Sequence, residues 1–422
     1  MLNSRCPLVV FIKYEIEFKI MSLGQLIKWR LLNFCFVVVC VFFVSCQESQ
    51  EMRFLSFGTS PVGGTFPVVG GALAEILNSH RGNNKWKVQI KGSKGSQENI
   101  RRLNSGEFQL GMCNSAISYF ASRGESSWSD EGAYNIRAVC TLAPLVAMFV
   151  TKRDTGIQTI GQLRDKRVVV GPAGAGFGMF VFPILEAHGV GRNGFTPLFS
   201  SQGSAVDMLR DGSADAAFLG GALPAQAIIQ ATASFDVFVV PYDPKVLTKL
   251  IQEYDFFKAI PHALVKSRYG RILHYDEEDR INEMKRDELL AFVQQEKLKV
   301  KGVEDLKLKE LRKAVIGARF GWLNVGSMQV ITHENVDKQL IKNILKVFWV
   351  NRFELAKMHP ALGFLNPRTI LLGNQRRLIQ GAFFFTGIKF HDGAIEFFSE
   401  HPEIGVQPNQ KNVFTNTILK GI

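Results

Sequence analysis

From Arg53 onward, short apolar runs alternate with glycine-rich polar stretches. FLSFG (54–58), WKVQIKG (86–92) and FQLGMC (108–113) are bounded by glycine or polar residues and read as strands. Between them lie the loop TSPVGGTFP (59–67), a helical stretch from Val68 to Leu77, and the helix GSQENIRRLNSG (95–106), closed by Gly106. The same order then returns: RVVVG (167–171) as a strand, PAGAGFG (172–178) as a loop and MFVFPILEAHG (179–189) as a helix. FTPLF (195–199), GSAVDMLRDG (203–212) and DAAFLG (215–220) continue it as strand, helix and strand. Gly63 and Gly95 are 32 residues apart, as are Gly171 and Gly203, and each second glycine is followed by Ser, a helix and Leu-x-x-Gly. The pattern predicts two similar α/β lobes, each with a parallel sheet and each aiming helix N-termini at a shared cleft beyond the strand ends. Two longer apolar segments, TLAPLVAMFVTKR (141–153) and GWLNVGSMQVITH (321–333), stand where strands joining the lobes are needed. One lobe is therefore expected to span 53–150 and 326–422, the other 151–325. Within the latter, residues 270–315 are densely charged and read as an insertion of one or two solvated helices.

The N-terminal residues follow a different pattern. Lys28 and Arg30 precede the 14-residue apolar run Leu31–Val44. A bilayer-spanning helix needs about 20 apolar residues, so the run has the length of a secretory signal core. Residues 1–45 are expected to be an export signal. Met21 would open a compact leader free of Glu15 and Glu17. Ser45-Cys46 before the polar QESQE resembles a bacterial lipobox, which makes Cys46 the expected site of lipidation and 46–52 a tether to a membrane.

The formal charge of +12 falls to +9 without residues 1–45, and its basic residues are scattered. No nucleic-acid motif is present, so no nucleic-acid partner is expected. Beyond Cys46 only Cys113 and Cys140 remain, without metal-ligand spacing; a disulfide and two buried thiols are both open. Gly174, Gly176 and Gly178 lack the spacing and the acidic residue of a dinucleotide site. No nucleophilic triad or paired carboxylates stand out. Neither catalysis, nor a cofactor, nor a metal is expected.

Several segments, in this order and spacing, carry a family resemblance: GTSPVGGTFPVVGGALAEILN, KGSQENIRRLNSGEFQLGM, IRAVCTLAP, TIGQLRDKRVVVGPAGAGFG, DMLRDGSADAAFLGGALPAQAI and KFHDGAIEFF. From about Phe54 to Phe398 the chain resembles the TAXI-type substrate-binding proteins of tripartite ATP-independent periplasmic (TRAP) transporters. The resemblance implies an α/β, type II periplasmic-binding-protein fold, with two lobes, a hinge of two crossing strands and a central cleft that closes on one small solute. It also implies a periplasmic location and a fused permease on a separate chain. A ligand-sensing lipoprotein is the alternative that the same fold allows.

Candidate ligand-binding residues follow from the loops. Thr59, Ser60, Gly63, Gly64, Thr65 and Phe66 precede a helix whose first N–H groups and partial positive charge suit a carboxylate. Ala173, Gly174, Ala175, Gly176 and Phe177 offer backbone N–H groups from the second lobe. Asn114 and Ser115 follow a strand end, and Gly220, Gly221 and Ala222 permit close approach. Ser115, Ala143, Ala175 and Phe177 stand where the family often has an acid, an aromatic and two hydroxyls. The expected solute is thus a carboxylate-bearing metabolite or amino acid, as an anion with an apolar or uncharged body. His391 is expected to have a structural role.

Overall fold

A computed structural model describes residues 52–254, 256–269, 276–365, 368–372, 375–379 and 387–404. The residues read as an export signal, Cys46 and all of the expected tether but Met52 lie outside the described residues. So do 270–275 of the insertion and 405–422 of the return segment.

The first half of the sheet comprises β1 (Arg53–Gly58), β2 (Trp86–Lys91) and β3 (Leu110–Asn114), with β1 parallel to both neighbours. Helix α1 (Thr65–Ser79) connects β1 to β2, and α2 (Ser96–Asn104) connects β2 to β3. α1 starts three residues earlier than its apolar spacing indicates. Gly64 takes the extended N-cap conformation, and Pro67, which has no N–H to satisfy, is tolerated in a first turn. The short α3 (Ser115–Ala121) follows β3 and is capped by the Asn114 side chain, which accepts from Ala116 N.

The second half repeats the plan. β5 (Arg167–Val169) is parallel to β6 (Thr196–Leu198) and β7 (Ala216–Ala222). They are joined by α4 (Gly178–Ala187) and α5 (Gln202–Asp211). In each half an inner strand, β3 or β7, is buried on both faces and reads as an apolar run without alternation, whereas the outer β2 and β6 are partly exposed.

Two long strands unite the halves. β4 (Ile136–Lys152) pairs antiparallel along 136–141 with the far part of β10 (Gly321–His333), and along 145–150 with β7. The near part of β10 pairs with β9 (Lys258–Pro261). Between these stretches the β10 register breaks at Asn324/Ser327 and again at Ser327/Gln329. Such irregularities bend a strand and raise its twist. This is the expected type II arrangement of two lobes, two crossing strands and a cleft. Both β10 ends agree with the sequence reading. β4 begins five residues before Thr141, because Ile136 to Cys140 already pair with β10.

The bent part of β10 is held by the first lobe. Asn114 Nδ2 donates to the Val325 carbonyl (2.9 Å), and Ser327 N donates to Ser115 Oγ (2.8 Å). Gly326 has φ +115°, and a Cβ there would stand 2.4 Å from Asn114 Oδ1; only glycine fits.

Cys113 and Cys140 are buried free thiols on β3 and β4, separated by β10, where they pair with Gln329 and Val330. Burial pushes both thiols up to about 12. His391 caps the helix Asp392–Glu400: Gly393 N donates to its Nδ1 (3.1 Å), so Nε2–H donates to the Glu334 carbonyl (3.2 Å).

The charged insertion holds three helices where one or two were expected: Asp276–Glu283, Arg286–Gln295 and Leu308–Arg319. Leu289, Phe292, Leu311 and Val315 are buried among them, so the segment has an apolar seam under its charged exterior. The first of these helices is fastened through Glu278, which accepts from Lys266 Nζ (2.5 Å) and from His262 Nε2 (2.9 Å). Trp322 Nε1 donates to His262 Nδ1 (3.1 Å), which fixes the neutral tautomer. Burial holds His262 below the ordinary imidazole range against the opposing pull of Glu278. A folded value below the unfolded one means this contribution is complete above about pH 6.5 and is lost as pH falls through the folded value. Acidification from pH 7.5 to 5 should therefore lower the amide-exchange protection factors of Asp276–Glu283, rates being corrected for intrinsic exchange at each pH, and His262→Gln should flatten that pH dependence. Equal protection at both pH values would contradict it.

Candidate functional site

The cleft between the lobes encloses a cavity of about 80 Å³. Its first-lobe wall comes from the β1–α1 loop (Ser60, Pro61, Gly64), Thr65 and Phe66, together with Lys94, Ser96, Asn114 and Ile117. The second lobe supplies Pro172, Ala175, Phe177, Phe180, Gln202, Phe218, Gly220 and Gly221. Leu145, Val146, Ala147 and Val325 form a floor where the two long strands cross. Residues at or beside the N-termini of five helices therefore converge: Thr65 of α1, Ser96 of α2, Asn114 of α3, Phe177 of α4 and Gln202 of α5. Each such end carries unsatisfied N–H groups and partial positive charge. α1, α4 and α5 have no acidic residue in their first turns.

Thr65 is 3% exposed, and its Oγ has no hydrogen-bond partner. Leaving a buried hydroxyl unpaired is unfavourable. This one sits on the cavity wall, at the start of a 15-residue helix whose N-cap, Gly64, has no side chain to accept from the first turn. Nearby polar groups are already committed. Thr59 Oγ donates to the Lys91 carbonyl (3.2 Å), and Ser96 Oγ accepts from Asn114 N (3.0 Å). Gln202 Oε1 accepts from Gly220 N (2.9 Å). Opposite them, Phe177 meets Phe218 edge-on at 6.0 Å, and Phe218 meets Phe149 at 5.2 Å. The cavity is thus mainly apolar, with its hydroxyls on the first-lobe side and most of its aromatic rings on the second.

The lobes touch through glycines. A Cβ on Gly63 would lie 2.5 Å from Gly203 N, and one on Gly176 would lie 2.5 Å from Ile117 Cδ1. A Cβ on Gly95 would stand 3.6 Å from the Ala175 Cβ, and one on Gly221 only 2.3 Å from Thr65 Oγ. Of the glycines that mark the internal sequence repeat, Gly63, Gly95 and Gly203 meet the opposite lobe, while Gly171 packs against Phe177 of its own loop; the first loop of each lobe faces the second loop of the other. The cleft is closed in this structure.

Of the sequence candidates, Ser60, Gly64, Thr65, Phe66, Asn114, Ala175, Phe177, Gly220 and Gly221 line the cavity. Asn114 does so with its side chain already spent on Ala116 N and the Val325 carbonyl. Thr59, Gly63, Ser115, Ala173, Gly174, Gly176 and Ala222 stand outside the lining. Ser115 serves the hinge, Gly63 and Gly176 serve the contact between lobes, and Ala222 is wholly buried. Sequence reasoning missed Lys94, Gln202, Phe180 and Phe218. The internal repeat held a signal for Gln202, which precedes the repeat glycine Gly203. Among the described residues no cluster of His, Cys, Asp or Glu is arranged to hold a metal, and no helix is long and apolar enough to cross a membrane.

Among solved structures, the chain is similar to the periplasmic aliphatic sulphonate binding protein SsuA from Escherichia coli. The identity is 13%, over 77% of this chain and 95% of that one, with a TM-score of 0.33. It is also similar to a binding protein component of an ABC phosphonate transporter from Pseudomonas aeruginosa. There the identity is 9%, over 74% of this chain and 80% of that one, with a TM-score of 0.40. A family model described as NMT1-like matches residues 57–268. That match is just over half of the chain and runs from β1 into the second lobe, so the chain belongs to the NMT1-like family.

Proposed function

We propose that this protein is an extracytoplasmic solute-binding receptor of a TRAP-type secondary transporter of the TAXI class. In this reading it captures a small organic anion, a carboxylate-bearing metabolite or an amino acid, and delivers it to a fused membrane permease on a separate chain. The observation that carries the reading is the unpaired Thr65 hydroxyl, buried at a helix N-terminus on the wall of an interlobe cavity. An anion seated there gains the hydroxyl as a donor, together with first-turn N–H groups. The aromatic side of the cavity favours an apolar or uncharged body. The lobes act as rigid bodies about the crossing strands. Strand pairing supports a change of lobe inside β4 near 141–145, ahead of 150, and inside β10 near 324–329, a stretch that includes the expected boundary at 325/326.

A thermal-shift screen tests the solute class, because a ligand that binds only the folded state raises the melting temperature. Free ligand at about 100 Kd should add roughly 2.7 kcal/mol. Carboxylates should give the shifts, and Thr65→Val should remove most of them. Strong shifts with cations or sugars and none with any carboxylate would reject the assignment.

The receptor is further proposed to be periplasmic and lipid-anchored through Cys46. Cys46→Ala should release the protein into the soluble fraction once the signal is cleaved. An Ala variant that stays membrane-bound after cleavage would contradict the anchor.

A further inference from the structure

Resting on the reading of the cleft as a solute site, we infer that Lys94 is the residue that selects the charge of the solute. Among the described residues that line the cavity, Lys94 alone has an ionisable side chain. It lies in the turn before α2 and is exposed, so its ammonium stands at the mouth of the cleft rather than in its depth. The nearest acid in sequence does not neutralise it. Glu98 accepts from the Lys94 backbone N (2.8 Å), while its other oxygen pairs with Arg102 at 2.5 Å. Among the described residues no carboxylate lies within 4 Å of the Lys94 ammonium.

The stem of Lys94 crosses the boundary between lobes. A Cβ on Gly174, in the second lobe, would lie 3.8 Å from Lys94 Cδ. Lys94 thus travels with the first lobe and comes to rest against the second when the cleft is closed. With Thr65 inside and Lys94 at the mouth, the first lobe offers an anion a hydrogen-bond donor and an uncompensated positive charge. The second lobe offers neither a cation nor an acid in the lining. A charge at a binding-site rim acts mainly on association rate and on salt dependence, so Lys94 should select anions over neutral molecules of the same shape.

The test uses matched probes on the purified full chain: hexanoate with hexanamide, phenylacetate with phenylacetamide, and hexanesulfonate with hexanesulfonamide. Affinities are measured by ligand-observed NMR at low and high salt, for the wild type and for Lys94→Met, Lys94→Arg and Lys94→Glu. Thermal melts confirm that these surface variants are folded. The wild type should prefer the anion of a pair, and Lys94→Met should reduce that preference about tenfold at low salt. Lys94→Arg should keep the preference, Lys94→Glu should reverse it, and high salt should weaken it in the wild type. If Lys94→Met keeps the anion preference within about twofold, another group sets the charge; the assignment fails while the solute site stands. A wild type that binds amides as tightly as the anions overturns the assignment in the same way. A wild type that binds no member of the panel overturns the solute-site reading and the assignment together.

Discussion

Gly63→Ala should hold the two lobes apart and weaken solute binding by at least about tenfold, since apparent affinity scales with the population of the closed state. The clash between lobes acts on closure, whereas the strain at positive φ is local to the loop and falls on open and closed states alike. Gly63 has φ +92°, where a side chain costs about 1–2 kcal/mol. The added Cβ would also stand 2.5 Å from Gly203 N and 2.6 Å from Gly203 Cα, both backbone atoms of the opposite lobe that cannot turn aside as a side chain can. Opening relieves this contact, so the closed state carries the cost. Gly203→Ala is the control. Its Cβ would approach the Val62 carbonyl at 3.4 Å, close to ordinary van der Waals contact, and affinity should stay within about threefold of wild type. Small-angle scattering should show a larger radius of gyration for Gly63→Ala than for either the wild type or Gly203→Ala, and calorimetry should give the affinities. An unchanged radius together with unchanged affinity for Gly63→Ala would show that the glycine contact does not govern closure.

Asn99→Leu should lower stability by about 2–4 kcal/mol, because two buried carbonyl groups lose a donor. Asn99 is fully buried, and its Nδ2 donates to the Thr59 carbonyl (2.7 Å) and the Met112 carbonyl (2.8 Å). It thereby ties the end of β1 and the end of β3 to α2, immediately behind the loop that leads to Thr65. Ser93 Oγ also donates to the Thr59 carbonyl (3.1 Å), which limits the loss at that group. Leucine fills a similar volume but donates nothing. Urea denaturation measures the change. A loss below about 1 kcal/mol would mean that water or a shifted backbone replaces the amide.

The strand–loop–helix order was legible because these elements are local. Buried strands such as β1 and β3 show as short apolar runs, and α2 and α5 are closed by Gly106 and Gly212 at the positions their spacing indicates. The repeat of Gly63, Gly95, Gly171 and Gly203 was also legible. Its meaning became plain only in three dimensions, where Gly63 meets Gly203 and Gly95 meets Ala175.

The cavity itself was legible on the first lobe, where Ser60, Gly64, Thr65 and Phe66 lie together in one loop and helix start. It was less so elsewhere. Lys94 looks in sequence like any solvated lysine, and only the closed cleft brings its stem to Gly174. Phe180 and Phe218 read as core side chains of a helix and a strand, which they largely are; their cavity-facing edges depend on packing between elements. Ser115 shows the reverse error. It sits at a strand end, where solute contacts are common, but the bent β10 needs its hydroxyl as an acceptor for Ser327 N. The register break that creates this need is marked in the sequence only by Asn324, Gly326 and Ser327, which interrupt the apolar run but do not name the partner. The number of helices in the insertion was undercounted because buried positions such as Leu311 and Val315 are outnumbered by charge in the run from Leu306 to Arg319.

Native mass spectrometry of the protein purified from its own cells tests the central claim most directly, because a receptor with a closed cleft should retain its solute. The account predicts one small organic anion bound at one per chain, released on denaturation and lost from Thr65→Val. A chain that carries no small molecule and binds none of the carboxylates offered to it, or that carries a cation or a sugar, would contradict it.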